Sequence, residues 1–300
     1  MLSNIALLAA TAGLAHAYTN VDVSQFMMKN IDPIVMPGEY KSHMHSFFGA
    51  DAVTVKLPTS DELRGSCATA NNPNDLSVYW VPTLYYTGDG KYTPVKPKRF
   101  TAYYQFEKST AAEVPIPENF SVLAGNAAAT SVADLDKGAN IAWLCEGQKF
   151  DAGGKAYSDF PVSGCKVIQT VVWFPDCVNE QTLESAYTRT NGGKCPAGMK
   201  TMPQLRFSIR YDVSGVAPSG WSGAAPFELA CGASHCMHGD FINGWDKQAN
   251  KNMQALNKPR SFQSLSGSLG KSKDGASGCK AADQDPSNGT SDYETSVEMM

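Results

Sequence analysis

Eight cysteines, Cys67, Cys145, Cys165, Cys177, Cys195, Cys231, Cys236 and Cys279, all lie downstream of one amino-terminal apolar run, Ile5 to Ala15. That run is too short to span a bilayer. It leads into Ala15-His16-Ala17, with small residues at the two positions a signal peptidase reads, so residues 1–17 read as a secretory signal peptide. No Lys or Arg precedes the run, which leaves the α-amino group as its positive end. An even cysteine count in an exported chain reads as a disulfide framework, and there is no CxxC pair to favour a thiolate zinc site instead. Disulfides restrict the unfolded ensemble and so permit long, irregular connections between elements. Which cysteine pairs with which stays open.

Between the cysteines, Ala52 to Leu57, Ser77 to Tyr86, Thr101 to Glu107, Lys166 to Phe174 and Gln204 to Val213 are rich in β-branched and aromatic residues and read as strands. In Gln204 to Val213 the alternation is plain. Leu205, Phe207, Ile209 and Tyr211 turn to a core, while Arg206, Ser208, Arg210 and Asp212 turn to water or a cleft. Helical periodicity is confined to Glu180–Tyr187 and Lys247–Leu256. The expected fold is mainly β: a single β-sandwich or jelly-roll-like domain over residues 18–260, with long disulfide-tied loops and few short helices. Residues 261–300 turn to Ser, Gly, Lys and Asp, with almost no large apolar residue after Leu269, and read as a mobile tail that Cys279 can pin.

Composition narrows the partners. With 25 Lys and Arg against 29 Asp and Glu, no domain-wide positive field exists to release counterions from a phosphate backbone, so no nucleic-acid partner is expected. No later run approaches the length of a membrane span, and Glu298-Met299-Met300 is not a hydrophobic anchor tail, so no membrane partner is expected and the processed chain reads as a monomer. Asn119-Phe120-Ser121 and Asn288-Gly289-Thr290 are acceptor sequons for N-glycans.

The chemistry concentrates on histidine. Beyond His16 the histidines form two tight pairs, His43-Met44-His45 and His235-Cys236-Met237-His238. On a strand, residues two apart share a face, so His43 and His45 can converge on one ion or one substrate group; His235 and His238, three apart, can do likewise on a helical turn. Asp240 and Asp246 follow at once. Such a set can bind zinc, copper or iron, or move protons near neutral pH. The plainer reading makes each pair a hydrogen-bonded loop element. His235 is the member most readily assigned to that role, with Cys231 and Cys236 closing a small loop that fixes His238. Ser46-Phe47-Phe48-Gly49-Ala50 lacks the Glu that follows a cupin HxH, and no His follows His238 to complete an iron facial triad begun by His238-Gly239-Asp240. Cleavage after Ala15 would expose His16 as in copper-dependent polysaccharide monooxygenases, although Ala15-His16-Ala17 fits cleavage after Ala17 better.

Four motifs, in order, carry a family resemblance. They are Asn30-Ile31-Asp32-Pro33-Ile34-Val35-Met36-Pro37-Gly38, Ser42-His43-Met44-His45-Ser46-Phe47-Phe48-Gly49, Asp75-Leu76-Ser77-Val78-Tyr79-Trp80-Val81-Pro82-Thr83-Leu84-Tyr85, and His238-Gly239-Asp240-Phe241-Ile242-Asn243-Gly244-Trp245-Asp246. Over about residues 30 to 250 the chain resembles the fungal secreted family called domain of unknown function 1996 (DUF1996). The resemblance implies a secreted filamentous-fungal protein, of a kind often associated with cell-wall or carbohydrate-binding modules, and it brings no established reaction with it.

Two functions from different classes follow. The first is an extracellular enzyme, hydrolase or lyase, acting on cell-wall polysaccharide. In it His43, His45, His238 and Asp240 form the catalytic set, with His45 and His238 as base and acid or as metal ligands and Asp240 orienting one of them. Trp80, Tyr85, Arg210, Trp245 and Asp246 are its candidate substrate-binding residues, Trp245 above all because its Gly-flanked segment reads as a loop that can present a flat face to sugar. The second is a non-catalytic protein that binds wall glycan or a transition metal. In either case the metal, zinc or copper, would be held by His43, His45 and His238. Both readings require the two histidine motifs to meet.

Overall fold

A computed structural model describes residues 18–104, 111–148, 159–256, 264–271 and 279–300. The leader reading for residues 1–17 lies outside them. The main strands are β1 (Thr19–Val23), β2 (Gln25–Lys29), β3 (His45–Gly49), β4 (Val78–Pro82), β5 (Pro97–Tyr104), β6 (Ser121–Gly125), β7 (Ala142–Cys145), β8 (Val167–Trp173), β9 (Leu205–Asp212) and β10 (His238–Ile242). They form two five-stranded sheets, in the spatial orders β1-β5-β9-β8-β7 and β2-β3-β4-β10-β6, and every pairing is antiparallel. Aromatic side chains lock the sheets face to face. Phe48 of β3 meets Phe100 of β5 edge-on at 4.5 Å, and Tyr79 of β4 lies 5.8 Å from Phe207 of β9. The mainly β sandwich expected from the alternation is therefore the fold.

Alternation holds in β9, where Leu205, Phe207, Ile209 and Tyr211 are all buried. It fails in the middle of the second sheet, where every residue of β3, β4 and β10 is buried. The cause is a second core on the outer face of that sheet. Phe47 stacks on Trp80 at 5.5 Å there, and Val78 and Ile242 join Ile31, Val53 and Leu63 from the long connections. A sheet covered on both sides has no solvent face, so any polar group it carries on that face needs a partner or a function.

Three local expectations are corrected. Ala52 to Leu57 is a loop, not a strand, because Val53 packs down onto the outer face of the second sheet instead of pairing at its edge. Glu180–Tyr187 is not helical: Asn179 Oδ1 accepts the N–H groups of Gln181 and Thr182, and Leu183 sits at φ +61°, so an Asx turn captures the backbone before a helix can start. Lys247–Gln254 is a helix as read, with Asp246 as its N-cap. The third correction concerns the segment read as a mobile tail. Where it is described it is docked, through the Cys67–Cys279 disulfide, an ion pair of 2.7 Å between Lys29 and Asp283, and a carboxy-terminal helix, Tyr293–Met299. Its composition is misleading because it is held by a covalent bond and polar contacts more than by buried apolar surface. The other disulfides are Cys145–Cys165, Cys177–Cys195 and Cys231–Cys236.

Candidate metal centre

β4 separates β3 from β10, and its register places their polar residues. His45 pairs with Pro82 and Phe47 with Trp80 on one side, while Asp240 pairs with Trp80 on the other. Carried two residues further, the second register sets His238 level with Pro82. Residues two apart share a face, so His45, His238 and Asp240 all belong to the outer face with Phe47 and Trp80. The flat ring of Pro82 between them lets the two imidazoles meet above it. Gly125, opposite His238 on β6, has φ +108°, and a Cβ there would come within 2.9 Å of His238 Cα, so the strand pair closes on this site only with glycine.

His43 lies in the loop before β3, and not on the strand as the HxH spacing suggested. It still reaches the site. Its Nε2 is 3.3 Å from Nε2 of His238, and Nε2 of His45 is 3.2 Å from the same atom. The motifs separated by almost the whole domain thus converge. His45, His238 and Asp240 have no exposed surface, and His43 is half-buried at the rim. His235 falls outside the trio, in a short 3-10 turn, where it faces Asp159 at 3.2 Å.

The tautomers follow from the partners. Nδ1 of His45 lies 2.9 Å from the Ile31 carbonyl oxygen and Nδ1 of His238 lies 2.7 Å from that of Cys236. A carbonyl only accepts, so in both rings Nδ1 carries the hydrogen and Nε2 keeps a bare lone pair. Protonation does not relieve the clash, because burial pushes all three histidines down, helped by neighbouring imidazoles at His43 and His45 and opposed at His238 by the Cys236 carbonyl: His43 to about 3, His238 to about 4, and His45 well below the ordinary imidazole value. Neutral rings suit metal ligation and not the role of general acid near pH 7.

Asp240 adds the opposite anomaly. Its Oδ2 is 3.8 Å from Nε2 of His238, and among the described residues neither carboxylate oxygen has a hydrogen-bond partner. Burial, and then the charge of Asp32, pushes its pKa well up. An orphaned carboxylate beside bare imidazole nitrogens is a donor set whose chemistry suits a cation. Ligand atoms of His45, His238 and Asp240 lie within 4.8 Å of one another. With nitrogen–metal bonds of about 2.0–2.1 Å, tetrahedral ligands stand roughly 3.3 Å apart, close to the 3.2 and 3.3 Å that separate His238 Nε2 from Nε2 of His45 and of His43. Hydrogen bonds from Nδ1 to carbonyls are how metal-bound histidines are usually oriented. The residues fit a zinc or copper ion. Cys231 Sγ is also close to His43 and His238, but it is bonded to Cys236, so it walls the site and does not ligate; the small disulfide loop fixes His238 through the Cys236 carbonyl, as its spacing suggested.

Of the candidate substrate-binding residues only Trp80 shares the outer face of the site, and it offers no exposed platform there. Trp80 is buried beneath Phe47, and Tyr85 is buried with Met44 and Ala230. Trp245, expected as an exposed platform, has no exposed surface and sits edge-on to Tyr104 at 5.4 Å. The segment turns inward because Gly244 lies against the Leu76 carbonyl, where a Cβ would come to 2.1 Å. Arg210 is on the first sheet, paired with Glu146 at 3.3 Å, and Asp246 is occupied in capping the helix and in bonds to Ser268. Asp32 is the residue the sequence reading missed as part of the site: it is buried, accepts the N–H groups of Ile34 and Val35, and faces Asp240 closely enough to raise it. Its signal was its place in the first of the four family motifs, at an Asp-Pro step beside Ile31.

Fold and site together define a disulfide-bonded β-sandwich with a buried cluster of three histidines and one carboxylate. The chain belongs to the family described as Domain of unknown function (DUF1996), which matches residues 32–245 and so encloses the whole cluster. No curated protein and no solved structure matches it.

Proposed function

We propose that this is a secreted metal-binding protein in which His43, His45 and His238 hold one divalent transition ion, zinc or copper, with Asp240 balancing its charge. One observation carries the reading: two imidazole nitrogens whose tautomers leave both lone pairs bare face each other at 3.2 Å. A cation between them turns that repulsion into coordination and gives Asp240 its counter-charge. The apolar leader and four disulfides support an oxidising, extracellular setting. Among the described residues no helix is long and apolar enough to cross a membrane.

A second reading keeps the expected activity on wall polysaccharide, as hydrolase or lyase. Half-buried His43 at the rim favours it, because three nitrogen ligands with one accessible side are the arrangement that leaves a metal position for water in catalytic zinc sites. It draws no support from Trp80, Tyr85 or Trp245, all of which are core. The test is elemental analysis of untagged protein purified without chelator. About one equivalent of zinc or copper, lost in His238→Ala, is the expected result. Protein that carries none and takes up none on titration overturns the proposal.

A further inference from the structure

We infer that residues 279–300 form a strap that positions the metal centre, with Asn30 passing its grip to His45; the inference rests on the metal-binding reading. The strap touches the chain at residues that flank the ligands. Lys29, opposite His45 in the β2–β3 register, is buried and bonds to Asp283 at 2.8 Å and to the Asp285 carbonyl. Asn30 is clamped on three sides: its Oδ1 accepts the Thr290 N–H at 2.7 Å, its own N–H donates to the Thr290 carbonyl at 3.2 Å, and its Nδ2 donates to the Tyr40 carbonyl at 2.7 Å. The next residue is Ile31, whose carbonyl holds Nδ1 of His45.

The other end of the ligand loop is held as well. The hydroxyl of Tyr40, three residues before His43 in the chain, donates to Asp285. Met44, between the two histidines, packs with Tyr85 and Ala230, and Tyr293 of the strap closes over this cluster. Its ring stacks on Tyr92 at 3.9 Å and tilts against Tyr85 at 4.7 Å. The Cys67–Cys279 disulfide fastens the strap to the domain. Ile31, His43 and His45 therefore sit in a backbone stretch gripped by one later segment at Lys29, Asn30 and Tyr40. Loss of a group that orients a ligand typically weakens metal binding by about ten- to a hundredfold.

The test uses the full chain and zinc, with affinity measured by chelator competition and ligand geometry by the visible absorption of the cobalt-substituted protein. Tyr293→Ala and Asn30→Ala should each weaken zinc binding by about ten- to a hundredfold and alter the cobalt spectrum, while Tyr293→Phe, which keeps the stacked ring, restores both. Melting of the metal-free variants checks that they fold, and if Asn30→Ala does not, half-buried Tyr293 decides the matter alone. Tight wild-type binding that is unchanged in the folded variants overturns the strap and leaves the metal centre standing. A wild-type protein that binds no zinc and no cobalt overturns both.

Discussion

Nε2 of His238 lies 3.2 Å from Nε2 of His45 and 3.3 Å from Nε2 of His43, so it is the shared neighbour of the other two. Removing it disconnects the cluster. His238→Ala should therefore abolish zinc binding, whereas His43→Ala, at the half-buried rim, should weaken binding and leave a residual site at His45, His238 and Asp240. Chelator competition across the two variants checks the order. Equal losses would mean that the cluster is not built around His238.

Asp240→Asn should act with opposite signs on the two forms of the protein. Without metal, the variant removes a buried carboxylate that has no hydrogen-bond partner, and stability at pH 8 should rise by about 1–3 kcal/mol. With metal, it removes the balancing charge, and affinity should fall about ten- to a hundredfold. Urea unfolding with and without zinc reads both effects. A variant destabilised in both states would make Asp240 an ordinary core polar residue.

Sequence legibility follows the range of the interactions. Strand β9 was readable because alternation is local, and the pairing of histidines was readable because each pair is local. That the pairs meet depends on register across β4, and above all on Pro82 lying between His45 and His238, which no spacing in the chain reports. Trp245 misled because a Gly-flanked tryptophan looks the same in a loop over the surface as in one that dives beneath a carbonyl. The carbonyls of Ile31 and Cys236 set the tautomers, and a backbone group carries no sequence signature.

The disulfides should separate stability from site geometry. Cys67–Cys279 spans a separation of 212 residues and Cys231–Cys236 only 5. By the chain-entropy argument, replacing the first pair with serine should cost up to about 5 kcal/mol and the second about 2 kcal/mol. The smaller loss should carry the larger effect on zinc affinity, since Cys236 presents the carbonyl that orients His238. Denaturant unfolding and zinc titration of both double variants check this.

Trp245→Ala should report on the core and not on sugar. Its ring is fully buried against Tyr104, and truncation should cost about 3–5 kcal/mol. A variant of unchanged melting temperature that fails only to bind an insoluble wall fraction would contradict this placement.

Asp75 gives a pH test independent of the metal. It is buried, accepts from the Tyr79 hydroxyl at 2.6 Å and from the Ser77 N–H at 3.1 Å, and burial pushes its pKa from 3.8 up to about 6. Between those values the folded protein keeps a proton that the unfolded chain releases, so stability falls as pH rises. The contribution is fully present below the unfolded value of 3.8 and is lost as pH passes through about 6, a change of about 3 kcal/mol. Asp75→Asn cannot ionise and should lack this slope. The stability of the wild type minus that of the variant, followed by urea unfolding of metal-free protein, should therefore drop by about 2.4 kcal/mol from pH 4 to pH 7. A flat difference would mean that the Tyr79 and Ser77 donors stabilise the carboxylate enough to cancel the effect of burial.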